Sequence, residues 1–246
     1  MTQTTPPQAE QKEALDIAEK GGVRQGARQS MDRRLFLRLT VFTDCRDPRP
    51  LVEELRKSGL ASVLYLDASD PRGVGVLAFD EDPGLFTGRL REVLNGPNFD
   101  RLTLRPEMTM FGRTYALGYE PDLEDWLLKR PRRVVLEPAQ PWAIWYPLRR
   151  TGTFSKLPHE EQMRVLKEHG NIGRAFGDAG LAQDMRLACF GLDAKDNDFI
   201  IGLIGPRLDP LSLCVQAMRK SRQTSEFLSS LGPFFVGKAL WQSPLS

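Results

Sequence analysis

The sequence predicts an α+β fold, two βαββαβ units packed sheet against sheet into a barrel. Three observations lead there. Strand-like and helix-like runs alternate in a βαββαβ order, and the order recurs in the second half. The stretches RGVGVLAFDEDPGLFTGRLREVL and NDFIIGLIGPRLDPLSLCVQAM also share a strand, an Asp-Pro step and a helix. Such internal repetition constrains the whole fold. Each unit forms a four-stranded antiparallel sheet with both helices on one face. The bare face needs cover, and the second sheet supplies it.

The elements follow in order. Residues 1–30, rich in Gln, Thr, Ala, Glu and Lys, read as a flexible arm, with a short exposed helix over Ala9–Glu19. Leu35–Phe42 reads as a strand and Pro48–Lys57 as a helix stopped by Gly59. Ser62–Asp67 and Gly73–Phe79 read as strands around the Asp70-Pro71-Arg72-Gly73 turn. Pro83–Leu94 reads as a helix, and Arg101–Tyr119 as extended structure with a break near Gly112. This N-terminal unit spans 31–120, and a connector, acidic then basic, spans 121–140. In the second unit, 141–246, strands are expected at Trp142–Tyr146, Gln183–Phe190, Phe199–Ile204 and Phe234–Trp241. Helices are expected at Pro158–His169 and Pro210–Met218.

Composition excludes several classes. Thirty-four Lys and Arg against 32 Asp and Glu leave a net charge of +2, no reason to expect a nucleic-acid partner. No apolar run approaches the roughly 20 residues of a membrane helix. Residues 1–30 lack the apolar core of a signal peptide, so a cytoplasmic protein is expected. Cys45, Cys189 and Cys214 are scattered and form no CxxC spacing, which argues against a zinc site.

The two histidines are His159 and His169. His159 opens a helix beside Glu160 and Glu161 and reads as solvated. His169 reads as the end of that helix, with Gly170 as its cap. The helix dipole alone favours a histidine there.

Four blocks give His169 another meaning. LPHEEQMRVLKEHGNIGR (157–174) resembles the helix carrying the proximal haem histidine of the coproheme decarboxylases, a branch of the chlorite dismutase-like superfamily. WYPLRR (145–150) is similar to that branch's Tyr-Pro-x-x-Lys segment. FGLDAKDNDFIIGL (190–203) resembles its Gly-Leu/Phe-Asp-Asp hairpin, and MRKSRQTSEFLSSLGPFFVG (218–237) its C-terminal Phe-Gly-Pro-Phe-Tyr-x-Gly ending. Residues 33–120 match in element order alone. The family fold is a duplicated ferredoxin-like, dimeric α+β barrel, in agreement with the repeat.

The resemblance implies haem b or iron coproporphyrin as cofactor, with His169 as the axial iron ligand. Candidate cations for the propionates are Arg132, Arg133, Arg149 and Arg150. Candidate walls are Trp142, Ile144, Leu148, Met185, Leu187 and Phe199. Tyr146 takes the place of the tyrosine whose radical attacks a propionate. Arg150 stands at the lysine position and Leu148 where Met is common. The implied activity is peroxide-dependent oxidative decarboxylation of iron coproporphyrin to haem b. The implied partners are porphyrin and hydrogen peroxide (or chlorite), and the implied assembly is a homo-oligomer, a pentamer. Alternatives are a haem b enzyme acting on chlorite or peroxide, a haem carrier or sensor, and a barrel that has lost haem.

Two places depart from the family. The distal position, Arg in chlorite-dismuting members and commonly Gln in decarboxylases, aligns with Asp184. A slip of register leaves Gln183 or Arg186 open as well. Asp184 and Arg186 share a strand face, as candidate catalytic residues. A carboxylate there would repel chlorite. The glutamate that chlorite-dismuting members pair with their histidine is replaced by Arg222-Gln223-Thr224, with Glu226 out of register.

Overall fold

A computed structural model describes residues 15–245. It opens on a hairpin, β1 (Glu19–Arg24) and β2 (Ala27–Met31), where the sequence predicts a flexible arm. The turn is Gln25-Gly26, both at positive φ (51° and 81°), the geometry of a two-residue hairpin loop. Gln-Gly is a weaker turn signal than Asn-Gly, so the hairpin does not stand out in the sequence. Most of the helix expected over Ala9–Glu19 lies outside the described residues, and Glu19 is strand.

The N-terminal unit follows: β3 (Phe36–Thr43), α1 (Arg49–Ser58), β4 (Ser62–Asp67), β5 (Val74–Asp80), α2 (Arg89–Leu94), β6 (Thr103–Leu104) and β7 (Met110–Thr114). The helix expected over Pro83–Leu94 is broken. A 3₁₀ turn at Pro83–Phe86, capped by Asp82, precedes α2. The break expected near Gly112 falls instead at Pro106–Met108, and Gly112 pairs with Leu37 inside β7. The connector is itself helical, with a π-type turn at Asp125–Lys129 running into α3 (Arg130–Val135).

The second unit contains β8 (Trp142–Arg150), α4 (Gly152–Ser155), α5 (His159–Asp178), β9 (Gln183–Ala188), β10 (Phe199–Gly205), α6 (Leu208–Met218), α7 (Arg222–Phe227), β11 (Leu228–Leu231) and β12 (Phe235–Gln242). Strand pairing runs β8–β10–β9–β7–β3–β5–β4–β12 and returns to β8, all antiparallel, so the two sheets close into one barrel. Its interior holds Leu37, Leu39, Tyr65 and Phe79 from the first unit and Trp145, Leu187, Ile200 and Phe235 from the second. Alternation along each strand sends the other side chains outward, under the helices.

Helix α5 differs most from expectation. It does not stop at His169 but runs on to Asp178, through Gly170, Gly173 and Gly177. Ile172 and Phe176 pack on the outer core, and that burial outweighs the glycines' weak helix propensity. The left-handed residue beyond the helix end is Gly180 (φ 68°). His169 is therefore mid-helix, and the dipole reading of it falls.

Candidate functional site

Between α5 and the outer face of β8, β9 and β10 lies a cavity of about 710 Å³. Period-two alternation decides what enters it. Leu148 and Arg150 come from β8, Asp184 and Arg186 from β9, Phe199 and Ile201 from β10. In register, Tyr146, Ile201 and Arg186 form one cross-strand row, and Leu148, Phe199 and Ala188 the next.

Helix α5 forms the opposite wall with His169. Its Nδ1 lies 3.0 Å from Ser221 Oγ, and Ser221 Oγ donates to the Met218 carbonyl at 2.8 Å. A hydroxyl has one proton, and the carbonyl accepts it. Nδ1–H therefore donates to Ser221, and Nε2 keeps a bare lone pair. Burial, aided by the positive charges of Arg186 and Arg150, pulls the His169 pKa down to about 4. The imidazole is neutral near pH 7. His159 is exposed at the start of α5 and does not reach the cavity.

The other predicted residues divide. Tyr146 shares the face of the site but lines a separate space of about 20 Å³, with His169, Ile201, Met218 and Thr224. Its ring stacks on Phe234 at 4.7 Å, and burial pushes its pKa up. Met185 and Leu187 face the barrel interior, because the alternation that groups Asp184 with Arg186 turns their neighbours away. Arg149, beside Arg150, points to solvent and pairs with Asp196 at 2.6 Å. Arg132 reaches Glu81 of the first unit at 3.3 Å, and Arg133 reaches Asp125 at 3.1 Å. Trp142 lies under Lys238, 5.5 Å from ring to ammonium, and Ile144 is packed in the outer core. Met185, Leu187, Arg149, Arg132, Arg133, Trp142 and Ile144 all lie off the cavity lining.

Arg150 has an incomplete set of partners. Its guanidinium sits over Phe154 (4.7 Å) and Phe199 (4.6 Å), and its buried Nε has no hydrogen-bond partner among the described residues. Burial lowers its pKa.

Arg186 Nε lies 3.1 Å from Asp184 Oδ2, and Arg130 Nη2 lies 3.6 Å from Asp184 Oδ1. Arg130 also donates to the Asp184 carbonyl (2.9 Å), and both guanidinium groups lie over Trp126 (5.0 and 5.5 Å). The cluster thus carries two positive charges and one negative. Asp184, neutralised in this way, does not make the site repel an anion.

Sequence reasoning missed Arg130, Trp126, Tyr115 and Ser221. The basic run 129–133 contains a signal for Arg130, but only the helix direction selects it over Arg132 and Arg133. Ser221 lies one residue before the stretch in which a partner for the histidine is expected. Nothing in the sequence singles out Tyr115.

Around the whole cavity, six basic side chains (Arg130, Arg150, Arg164, Lys167, Arg174 and Arg186) face three carboxylates (Glu160, Asp178 and Asp184). A net positive, partly apolar slot with one unprotonated imidazole nitrogen suits a flat anionic ligand that carries a metal.

The sequence pattern of the family described as Chlorite dismutase matches residues 110–240. Comparison with curated proteins finds no match. Among solved structures, a heme-binding protein from Thermus thermophilus has a TM-score of 0.66 at 19% identity, over 85% of this chain and 91% of that one. A tryptophan-to-valine mutant of chlorite dismutase from Candidatus Nitrospira defluvii has a TM-score of 0.65 at 16% identity, over 87% of this chain and 93% of that one. The imidazole complex of chlorite dismutase from the same organism has a TM-score of 0.60 at 16% identity, over 87% and 93%. At such identities the likeness establishes the fold. The family pattern goes further, since it covers more than half of the sequence, from the start of β7 into β12. The chain belongs to the chlorite dismutase family.

Proposed function

We propose that this chain is a haem-binding oxidoreductase resembling the coproheme decarboxylases, with iron coproporphyrin and hydrogen peroxide as substrates and haem b as product. The observation that carries the reading is the His169–Ser221 pair, which leaves a neutral imidazole Nε2 free beside the large cavity.

The residues fit an iron porphyrin. Haem iron takes a neutral imidazole as its fifth ligand, and the hydrogen bond on the other nitrogen tunes it. Leu148, Phe199, Ile201 and Met218 offer apolar faces. Opposite the three strand residues, Gly170, Gly173 and Gly177 bring no side chain, and a Cβ at Gly170 would meet nothing within 4 Å. The buried Arg150 Nε lacks an acceptor among the described residues, and a propionate would supply one.

Bound iron porphyrin would supply the oxidising chemistry with peroxide. Each conversion of propionate to vinyl releases one carbon dioxide, one proton and two electrons, and one peroxide takes up those electrons. Tyr146 is held as the neutral phenol by burial, so its hydroxyl keeps the proton that an oxidation there would have to release. Arg150 orients a carboxylate, and the Ser221 hydroxyl holds the Nδ1 proton of His169.

A second reading, a haem b enzyme acting on chlorite or peroxide, is favoured by the net positive Arg130–Asp184–Arg186 cluster, which tolerates an anionic oxidant. The proposal includes a cytoplasmic setting and, on the strength of the resemblance, assembly as a homopentamer. Iron coproporphyrin and peroxide added to the protein, with products read by mass spectrometry, test the main reading. Stepwise loss of carbon dioxide is expected. A Soret band shifted from that of the free iron porphyrin, without mass loss, transfers support to the second reading or to a carrier, and a band that stays at the free porphyrin's position overturns both enzymatic readings.

A further inference from the structure

The hairpin β1–β2 lies outside the residues matched by the family pattern, and it grips the segment that forms one wall of the cavity. That segment, 115–123, lines the cavity with Tyr115, Leu117 and Tyr119. Tyr119 is 59% exposed and Leu117 36%, so this wall is also the mouth.

On its outer side the segment is held by the hairpin. Gln29 Nε2 lies within donating distance of the carbonyls of Gly22 (3.2 Å), Glu120 (3.0 Å) and Pro121 (3.2 Å), and Gln29 Oε1 accepts from the Leu123 amide at 3.0 Å. The Gly22 amide donates to the Glu120 carbonyl at 2.9 Å. Glu19 accepts from the Ala116 amide (2.9 Å) and from Arg113 (2.8 Å). At Gly22 the approach is so close that a Cβ would sit 3.0 Å from Glu120 O and 3.1 Å from Tyr119 O. Only glycine lets the two backbones meet.

On its inner side the segment is pinned by Trp126, whose Nε1 donates to the Tyr115 carbonyl at 3.0 Å. Within it, the buried Glu120 carboxylate accepts the amides of Leu117, Gly118 and Tyr119 at 2.7, 2.9 and 3.1 Å. Among the described residues the segment has no strand ladder of its own beyond Thr114. Its shape depends on these borrowed hydrogen bonds, and the hairpin provides those that fix it from outside.

We infer that Gln29 and Gly22 are positioning residues for the cavity mouth: the hairpin clamps the Tyr115–Tyr119 wall and thereby sets how fast a bound planar ligand escapes. The inference rests on the haem reading for the ligand, while the clamp itself can be measured without one. Elements that open locally show it as fast amide exchange, and loosened walls act chiefly on dissociation rates.

The test uses the full chain. In ligand-free protein, Gln29→Ala should speed hydrogen exchange at the Ala116–Tyr119 amides about tenfold while the β9–β10 ladder is unchanged. In protein loaded with hemin as probe, release to excess apomyoglobin should quicken by about the same factor, with the His169-dependent Soret position unmoved. Gly22→Val, which pushes on the Glu120 and Tyr119 carbonyls, should act alike and stands in if Gln29→Ala does not fold. Exchange at Ala116–Tyr119 unchanged in the variants, or release within twofold of the parent, overturns the inference. If the parent takes up no hemin, the haem reading falls, and the exchange measurement alone upholds or overturns the clamp.

Discussion

His169 and Ser221 act as a pair, each deciding what the other can do. Because the Met218 carbonyl holds the serine proton, the histidine must donate from Nδ1 and present Nε2. His169→Ala should abolish or greatly weaken haem binding, while His159→Ala, on the exposed first turn of α5, should not. Soret titration distinguishes them, and loss of binding in the His159 variant would refute the assignment. Ser221→Ala should leave a haem complex but weaken it about 10–100-fold, as removal of an outer-shell partner commonly does. Tyr146 is a separate test of mechanism. Tyr146→Phe keeps the ring stacked on Phe234 and should spare porphyrin binding. It should stop decarboxylation, because phenylalanine yields no radical at accessible potential. Carbon dioxide loss at the parent rate would eliminate that role. Arg150→Ala should instead weaken porphyrin placement, through loss of a charge-assisted contact worth about 1.5–3 kcal/mol.

At the scale of the element, α5 trades helix stability for space. Three glycines inside a twenty-residue helix lower its intrinsic propensity, and all three line the cavity. Gly170→Ala has open space for its methyl group, and at Gly177 the nearest atom is Ala182 O at 3.7 Å. Each substitution should stabilise the ligand-free protein by about 0.5–1 kcal/mol, or about 2–4 °C per kcal/mol for a chain of this size. Each methyl group also enters the cavity, so on the haem reading hemin affinity should fall as the melting temperature rises. A rise in both would show that the glycines are not kept for the cavity. The β-strands make the same point in reverse. Asp184 and Arg186 reach the site because Met185 does not, and Arg150 because Arg149 does not.

At the scale of the molecule, the two βαββαβ units are not separable bodies. The barrel closes only through β7–β9 and β4–β12 pairing, and the interior core draws on both units. Residues 141–246 expressed alone would expose Trp145, Leu187, Ile200 and Phe235 on a bare sheet face. That fragment should show no cooperative thermal transition, whereas the full chain should unfold in one. A sharp calorimetric transition in the fragment would contradict the shared core. No helix among the described residues is long and apolar enough to cross a membrane.

Sequence alone determined the α+β class, the repeat, the barrel strands in outline and the family blocks around His169. These are local features: alternation, turn residues and short motifs are written in neighbouring positions. The hairpin at Glu19–Met31, the length of α5 and the selection of Arg130 over Arg132 and Arg133 were decided only in three dimensions. Each depends on partners far along the chain. Gln29 finds Glu120, Ile172 and Phe176 find the outer core, and Arg130 finds Asp184. Such contacts outweigh the local propensities by burial and by hydrogen bonding of groups that would otherwise be left unsatisfied. The histidine was legible as a motif, but its protonation was not, because the proton's place depends on a serine hydroxyl brought from another helix's edge.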